Sequence, residues 1–277
     1  VTAELCSTLV KLHNLKISDH KSIIKKLTKW LIDNQNSNGS WNETHIKYDK
    51  PSTVFTSICA LTLLEVSESF PDLNMDEEIF SRAAKFILNQ EIDSGAYRKS
   101  ELVHADILNA DAMAAVFLLK FGNKSSNEIY IKAGTRAVAH ICSHQFIDGA
   151  FPYSGPLRAY PYKYHFYIPC IHYQAVTLYY LIKTVPYIKS EWLEHSIVSG
   201  TKWLMKNQKD NKHIKAKKLQ EQGVKILDIE KLEIRGHLEC GKDVFIETNV
   251  IIEGNVYLGD SVTIRSNTII VDSSINN

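Results

Sequence analysis

Apolar residues recur through the first three-quarters of the chain at the spacing of helix faces. Ile23, Ile24, Leu27, Trp30 and Leu31 fall on one face of a 3.6-residue period, and Ser18 and Asp19 stand where an N-cap belongs. A shorter run, Leu5, Leu9 and Leu12, precedes them. The pattern then predicts paired helices over 52–67 with 76–90, 105–122 with 127–145, and 172–185 with 190–208. The first members ("SICALTLLEV", "AMAAVFLLKF", "AVTLYYLI") are apolar nearly all round, as an inner layer requires. The second members are more amphipathic and suit an outer layer.

These pairs are joined by a repeated loop. After "KWLIDNQ" comes "NSNGSW", and the same Gln-loop-Gly-x-aromatic order returns twice. The three copies are Gln35, Gly39 and Trp41; Gln90, Gly95 and Tyr97, with one residue extra; and Gln145, Gly149 and Phe151. Gly permits a positive φ after each helix, the aromatic folds back on the hairpin, and the Gln amide can tie loose backbone groups at a helix end. The expected role is a staple between successive hairpins. A fourth Gln, Gln208, is followed by "KDNKHIKAKK", with neither Gly nor aromatic.

The stretch "QNSNGSW" resembles the QxxxGxW repeat of the terpenoid cyclases and protein prenyltransferases. That resemblance implies an α/α toroid of stacked helical hairpins over residues 1–208. Such toroids usually close with about six hairpins, so the four legible here imply an open or incomplete ring. The architecture serves terpene cyclisation, protein prenylation, lanthionine formation and polysaccharide processing, and does not choose among them.

The last quarter changes period. Ile234, Cys240, Ile246, Ile252, Leu258, Ile264 and Ile270 recur every sixth residue, with Leu232, Leu238, Val244, Val250, Val256, Val262 and Thr268 two places earlier. Asn249, Asn255, Ser261, Asn267 and Ser273 close the hexads, which predicts a parallel β-helix with compact corners. "QGVKILD" and "LEIRGHLECGKDVFIETNVIIEGNVYLGDSVTI" resemble the start of the acetyltransferase domain of the GlmU family. Its members are bifunctional N-acetylglucosamine-1-phosphate uridylyltransferases and glucosamine-1-phosphate acetyltransferases. The resemblance covers about residues 212–277 and implies a left-handed β-helix, a homotrimer and, for that activity, acetyl-CoA and magnesium. The family's acetyl-transfer His and sugar-phosphate ligands belong to later coils than those present, so no catalytic residue carries over. His237, which precedes the regular coils, reads as a surface histidine. The expected organisation is therefore a helical toroid over 1–208, a basic linker helix over 209–222, and a β-helix fragment over 223–277.

Composition narrows the setting. Of the 277 residues 44% are hydrophobic and the net charge is +1, which gives no global attraction to nucleic acid. Cys6, Cys59, Cys142, Cys170 and Cys240 are scattered and odd in number, against a disulfide framework and for a reducing, cytoplasmic setting. No transmembrane run and no signal pattern is present, and both ends read as cut.

Three stretches carry candidate chemistry. "HADILNAD" places His104, Asp106, Asn109 and Asp111 at an inner-helix start; Asp106 and Asp111 could protonate a substrate, or could simply cap the helix. Neither a DxDD nor a DDxxD spacing is present. Cys170 and His172, at the next inner-helix start, are of zinc-ligand type, with His104, Asp106 and His144 as possible completions; His172 is also a catalytic candidate. The insert "FPYSGPLRAYPYKYHFY" offers Arg158, Tyr160 and His165 among aromatic rings suited to sugar or acidic ligands. The leading expectation is a ligand-binding or enzyme-like toroid of envelope-glycan or isoprenoid metabolism. The alternatives are a glucosamine-1-phosphate acetyltransferase of the GlmU type, and an inactive fusion or truncated scaffold.

Overall fold

The computed structural model describes residues 2–45, 48–100, 106–155, 169–207 and 219–276. The chain divides into two compact units, Val1–Asn207 and Gln208–Asn277. Among the described residues no helix is long and apolar enough to cross a membrane.

The first unit is built of helical hairpins: α1 (Thr2–Asn14) with α2 (Lys21–Asp33), α3 (Thr53–Ser69) with α4 (Glu77–Leu88), α5 (Leu108–Lys124) with α6 (Glu128–Ser143), and α7 (Ile171–Thr184) with α8 (Glu191–Asn207). Helices α3 and α5 are buried along most of their length, while the second members bury one face. Phe117, Phe121 and Tyr130 stack in series where α5 meets α6, with centroids 5.9 and 5.6 Å apart. Helices α4 and α6 start on side-chain caps. Asn127 Oδ1 accepts the amides of Ile129 and Tyr130, and Asp76 Oδ1 that of Glu78. At α2 the N-cap position is His20 rather than Ser18 or Asp19; Asp19 Oδ1 still accepts the Lys21 amide at 3.0 Å.

Each of the three described loops after a second helix docks on the following hairpin. Gly39, Gly95 and Gly149 take φ of 90°, 82° and 95°, and a Cβ on them would run into the backbone of Arg82, Arg136 and Ser199. Gln35 Nε2 donates to Gly39 O (3.0 Å) and Ile79 O (2.9 Å), and its Oε1 accepts from Arg82. Gln145 repeats this with Gly149 O and Ser196 O, both at 2.9 Å, and its Oε1 accepts from the Ser196 hydroxyl. In the second loop the equivalent residue is Glu91, not Gln90. Glu91 Oε1 accepts the Gly95 amide, and the carboxylate accepts from Arg136. Counted from Glu91, Gly and the aromatic follow at the same distances as from Gln35 and Gln145, so no extra residue is present. Gln90 contributes its backbone, with its carbonyl accepting from Arg98 N.

The aromatics close the arrangement. Trp41, Tyr97 and Phe151 are all buried, which contributes roughly 1.5–3 kcal/mol for each ring. Their backbone amides would otherwise be unpaired in the interior. Each finds an acceptor on the next inner helix: Trp41 N on Thr56 Oγ1 (3.0 Å), Tyr97 N on Asp111 Oδ1 (2.8 Å), and Phe151 N on Gln174 Oε1 (2.7 Å). Thr56, Asp111 and Gln174 are thus equivalent positions in the repeat.

The second unit consists of short parallel strands. The strand β2 (Leu232–Cys240) lies along β4 (Val250–Leu258), which also pairs with β6 (Ile269–Val271) and β7 (Ser274–Ile275). A second ladder joins β1 (Lys225–Ile226), β3 (Phe245–Ile246) and β5 (Thr263–Ile264). The partners Leu232↔Val250, Phe245↔Thr263 and Ile251↔Ile269 are eighteen residues apart, or three hexads. Val244, Ile246, Val250, Ile252 and Leu258 point inward and are fully buried. Asn249, Ser261 and Asn267 adopt left-handed φ at the corners, as does Asp243. At the remaining corner the left-handed residues are Gly254 and Asp272, one place before Asn255 and Ser273. Asp272 Oδ1 there accepts the Asn255 amide at 2.8 Å. His237 is exposed and pairs with Glu239 at 2.8 Å.

Candidate functional site

The loops that enter the inner helices are laced together. Isolated antiparallel bridges link Ser52 with Ser100, Arg98 with Asp106, and Ile107 with Ser154, and Leu108 N donates to Tyr153 O. This lacing fixes the N-terminal end of α5. The cap position of α5 is Ile107, without a side-chain cap bond, so neither Asp106 nor Asp111 caps the helix.

Asp106 and Asp111 instead form a buried polar centre with His140 of α6. His140 Nε2 and Asp106 Oδ2 are 2.8 Å apart, and the two side chains are 8% and 3% exposed. The ligating atoms of Asp106, Asp111 and His140 all lie within 4.8 Å of one another, the only such group of three among the described residues. His144 lies against His140 with centroids 4.4 Å apart and the rings tilted by 52°, and its Nδ1 bonds the His140 carbonyl at 2.8 Å. Gly155 covers the other side, where a Cβ would strike the Asp106 carboxylate. Burial pushes the Asp111 carboxyl well above its ordinary range, and the Asp106 charge and hydrogen bond push the same way. Burial also raises Asp106. The His140 and Asp111 hydrogen bonds and the charges of His140 and His144 outweigh it and hold Asp106 below its ordinary value.

A more accessible cluster lies at the start of α7. The rings of Tyr153 and Tyr173 are 4.3 Å apart, and the exposed His172 meets Tyr173 edge-on at 5.1 Å. Tyr153 is pushed up to about 12, first by burial, then by Tyr173 and by the Glu43 carboxylate, which itself pairs with Lys99 at 3.4 Å. Cys170 is exposed at the N-cap of α7; among the described residues neither it nor His172 joins a group of three metal-ligating side chains. His104, Arg158, Tyr160 and His165 lie outside the described residues.

His140 escapes a reading by motif because its partner stands 34 residues earlier. The available signal is its place in the repeat. Nine residues before the staple Gly, the other loops have Trp30 and Phe86, and the matching residue of the last outer helix is Trp203. Histidine there breaks the pattern.

A third feature lies along the inner helices. A cavity of about 280 Å³ is lined from α1, α3 and α7, by Ser7, Lys11, Glu65, Tyr179 and Lys183 among others. Glu65 accepts from Ser7 at 2.5 Å and pairs with Lys183 at 3.7 Å, so this α3 carboxylate bridges α1 and α7.

No family model matches the chain. Curated relatives include the bifunctional protein GlmU of Ralstonia nicotianae, 47% identical over 60 residues, which cover 22% of this chain and 13% of the relative. GlmU of Paraburkholderia phytofirmans is 39% identical over 87 residues, 31% of this chain and 19% of the relative. Among solved structures, an unsaturated glucuronyl hydrolase specific for heparin superposes with a TM-score of 0.55 at 13% identity, over 74% of this chain and 56% of that one. A possible member of the GH105 family from Klebsiella pneumoniae gives 0.54 at 12% identity, over 73% and 57%. The unsaturated glucuronyl hydrolase of Bacillus sp. GL1 gives 0.51 at 12% identity, over 72% and 59%. The chain thus spans under a fifth of those curated relatives and under two thirds of those solved chains. The structural likeness establishes an α/α-toroid type of fold and nothing about activity.

Proposed function

We propose that residues 1–207 form a carbohydrate-handling α/α-toroid domain, with its ligand at the aromatic cluster beside the α7 start. The observation that carries this reading is the Tyr153–Tyr173 ring pair, with exposed His172 edge-on to Tyr173 and with the charge of Glu43, paired with Lys99, felt at Tyr153. Aromatic faces stack on sugar rings, while a carboxylate and an ammonium offer an acceptor and donors for hydroxyl and acid groups. Glycan-processing neighbours of the same fold support carbohydrate over an isoprenoid ligand. Titration calorimetry with neutral and acidic oligosaccharides, and with a prenyl diphosphate as rival, tests it. Oligosaccharide binding weakened about tenfold by Tyr173→Ala, equivalent to about 1.4 kcal/mol, supports the reading. Preference for the diphosphate, or sugar binding indifferent to Tyr173, defeats it.

A specific observation favours a second reading for residues 208–277. The eighteen-residue stacking offset and the GlmU likeness support a left-handed β-helix that assembles as a trimer. Acetyl-CoA and magnesium belong to this reading only if sugar-phosphate acetylation does. Light scattering on the purified chain tests the assembly: a trimer mass supports it, and a strictly monomeric one removes it.

A further inference from the structure

We propose that Asp106, Asp111 and His140 form a binding site for one divalent cation of the zinc class, which would tie the inner helix α5 to the outer helix α6.

The ligand types come first. Two carboxylates and one imidazole, brought within 4.8 Å of one another in a dry interior, suit zinc or a similar first-row ion. Calcium asks for six or more oxygens, and magnesium keeps much of its water, so neither fits three enclosed ligands. Zinc bonds of about 2.0–2.2 Å need ligand atoms closer together than 4.8 Å, so the carboxylates would have to draw in. A bound cation takes the place of any proton on Asp111, which leaves to solvent, and His140 must ligate as a neutral imidazole with no proton on the ligating nitrogen.

Two observations beyond the cluster point to a ligand. One is a pair of carboxyl oxygens shut in together. Asp106 Oδ1 and Asp111 Oδ2 find no donor on any other described group, on residues only 2% and 0% exposed, so the hydrogen bond open to them is the one the two carboxyls share. Two carboxyls closed in this way are costly unless a proton or a cation lies between them. The other is the internal repeat, which supplies its own controls. At the Asp111 position the repeat uses Thr56 and Gln174, neutral groups that hold the aromatic amide equally well. Five residues before each stands Pro51 or Pro169 where this hairpin has Asp106. At the His140 position stand Trp30, Phe86 and Trp203. The fold is therefore built at the equivalent places with no ionisable group. In this one hairpin all three positions carry ligand-type residues, and they converge.

The proposal is independent of any carbohydrate ligand. Its test uses the full chain, stripped with a chelator and then titrated with Zn²⁺, with Co²⁺ as a visible spectroscopic reporter. One equivalent should bind, raise Tm in a concentration-dependent way, and give Co²⁺ d–d absorption. The variants His140→Phe and Asp111→Asn should fold, because Phe is the residue at position 86 and Asn keeps an acceptor for the Tyr97 amide. Each should weaken binding more than about a hundredfold, beyond what losing a group that merely orients a ligating side chain costs. No uptake by the unaltered chain, or uptake that survives both substitutions, would overturn the site.

Discussion

Arg136 reaches from α6 to Glu91 with one nitrogen, Nη2, placed 3.0 Å from both carboxylate oxygens. The same carboxylate accepts the Gly95 amide, so it ties its own loop to the next outer helix. The pair is partly exposed, 44% and 24% at the side chains, so its charge alone contributes roughly 0.2–1 kcal/mol. With the backbone bond included, Glu91→Ala should cost about 1–2 kcal/mol in urea unfolding. Glu91→Gln should recover most of it, because Gln35 and Gln145 perform the role natively. Gln90→Ala should stay within about 0.5 kcal/mol. A larger loss at Gln90 than at Glu91 would refute this assignment.

The staple glycines should be less replaceable than any other part of the loops. Gly39 is at φ 90°, and a Cβ there meets the Arg82 backbone, which has no flexible end to move aside. Backbone strain alone costs about 1–3 kcal/mol, before the displaced α4 is counted. Gly39→Ala should lower the urea midpoint more than Gly223→Ala, since Gly223 also has positive φ but has nothing within 4 Å of a built Cβ. Equal losses would mean that the close approach contributes nothing.

The hairpin repeat and the hexads are legible in the sequence because each rests on a short, regular period. The inner layer is visible because α3 and α5 are apolar on all sides. Legibility fails where a residue's role depends on its distance from a landmark rather than on its type. Gln90 matches the motif by letter, yet Glu91 stands four residues before Gly95, the reach that lets a side chain turn back on the glycine amide. At the Gly254 corner the hexad count points to Asn255, but glycine takes the left-handed conformation one place sooner. Asp106 and Asp111 are visible as polar residues at a helix start. Their convergence with His140 is not, because it depends on α6 packing against α5 across an interval that no local pattern spans.

Asp111 has a structural duty whatever it binds. Its Oδ1 holds the Tyr97 amide at 2.8 Å, and Tyr97 is fully buried. Asp111→Ala strands that amide and should cost about 1–3 kcal/mol. In metal-free buffer Asp111→Asn should cost much less, since an amide oxygen replaces the acceptor and removes a buried acid. Thermal unfolding of the two variants in chelator separates the roles. Should Asn prove as damaging as Ala, the hydrogen bond to Tyr97 is not what the position supplies.

The corners of the second unit rely on a different device. Asn267 sits at φ 62°, and its Oδ1 accepts from Asn249 Nδ2, eighteen residues earlier, at 2.7 Å. Asn267→Gly keeps the backbone geometry and loses only the exposed bond. Asn267→Ala loses both and should be the worse by about 1–2 kcal/mol, the cost of a left-handed conformation with a Cβ. Chemical denaturation followed at Tyr257, within the same unit, would rank them, and the reverse order would show that glycine's freedom in the unfolded chain outweighs the left-handed strain.

Glu247 gives the second unit a pH dependence whose sign follows from its partners. Its carboxylate accepts the Ser266 amide, the Ser266 hydroxyl and Arg265 Nη1, each at 2.9 Å. These bonds, the Ser266 amide foremost, hold Glu247 below its ordinary value of 4.5. A carboxyl depressed in the folded state releases its proton more readily there than in the unfolded chain. Its stabilisation is therefore complete above the unfolded value and is lost as pH falls through the folded one. Glu247→Gln removes that dependence while keeping one acceptor. The stability difference between the parent chain and Glu247→Gln should be constant at neutral pH and shrink as pH drops below about 4.5. Hydrogen exchange at the Ser266 amide, compared between the two proteins down the pH scale, reads the change at its source. A difference that persists undiminished at the lowest pH would mean that the ionised carboxylate is not what holds the coil at Ser266.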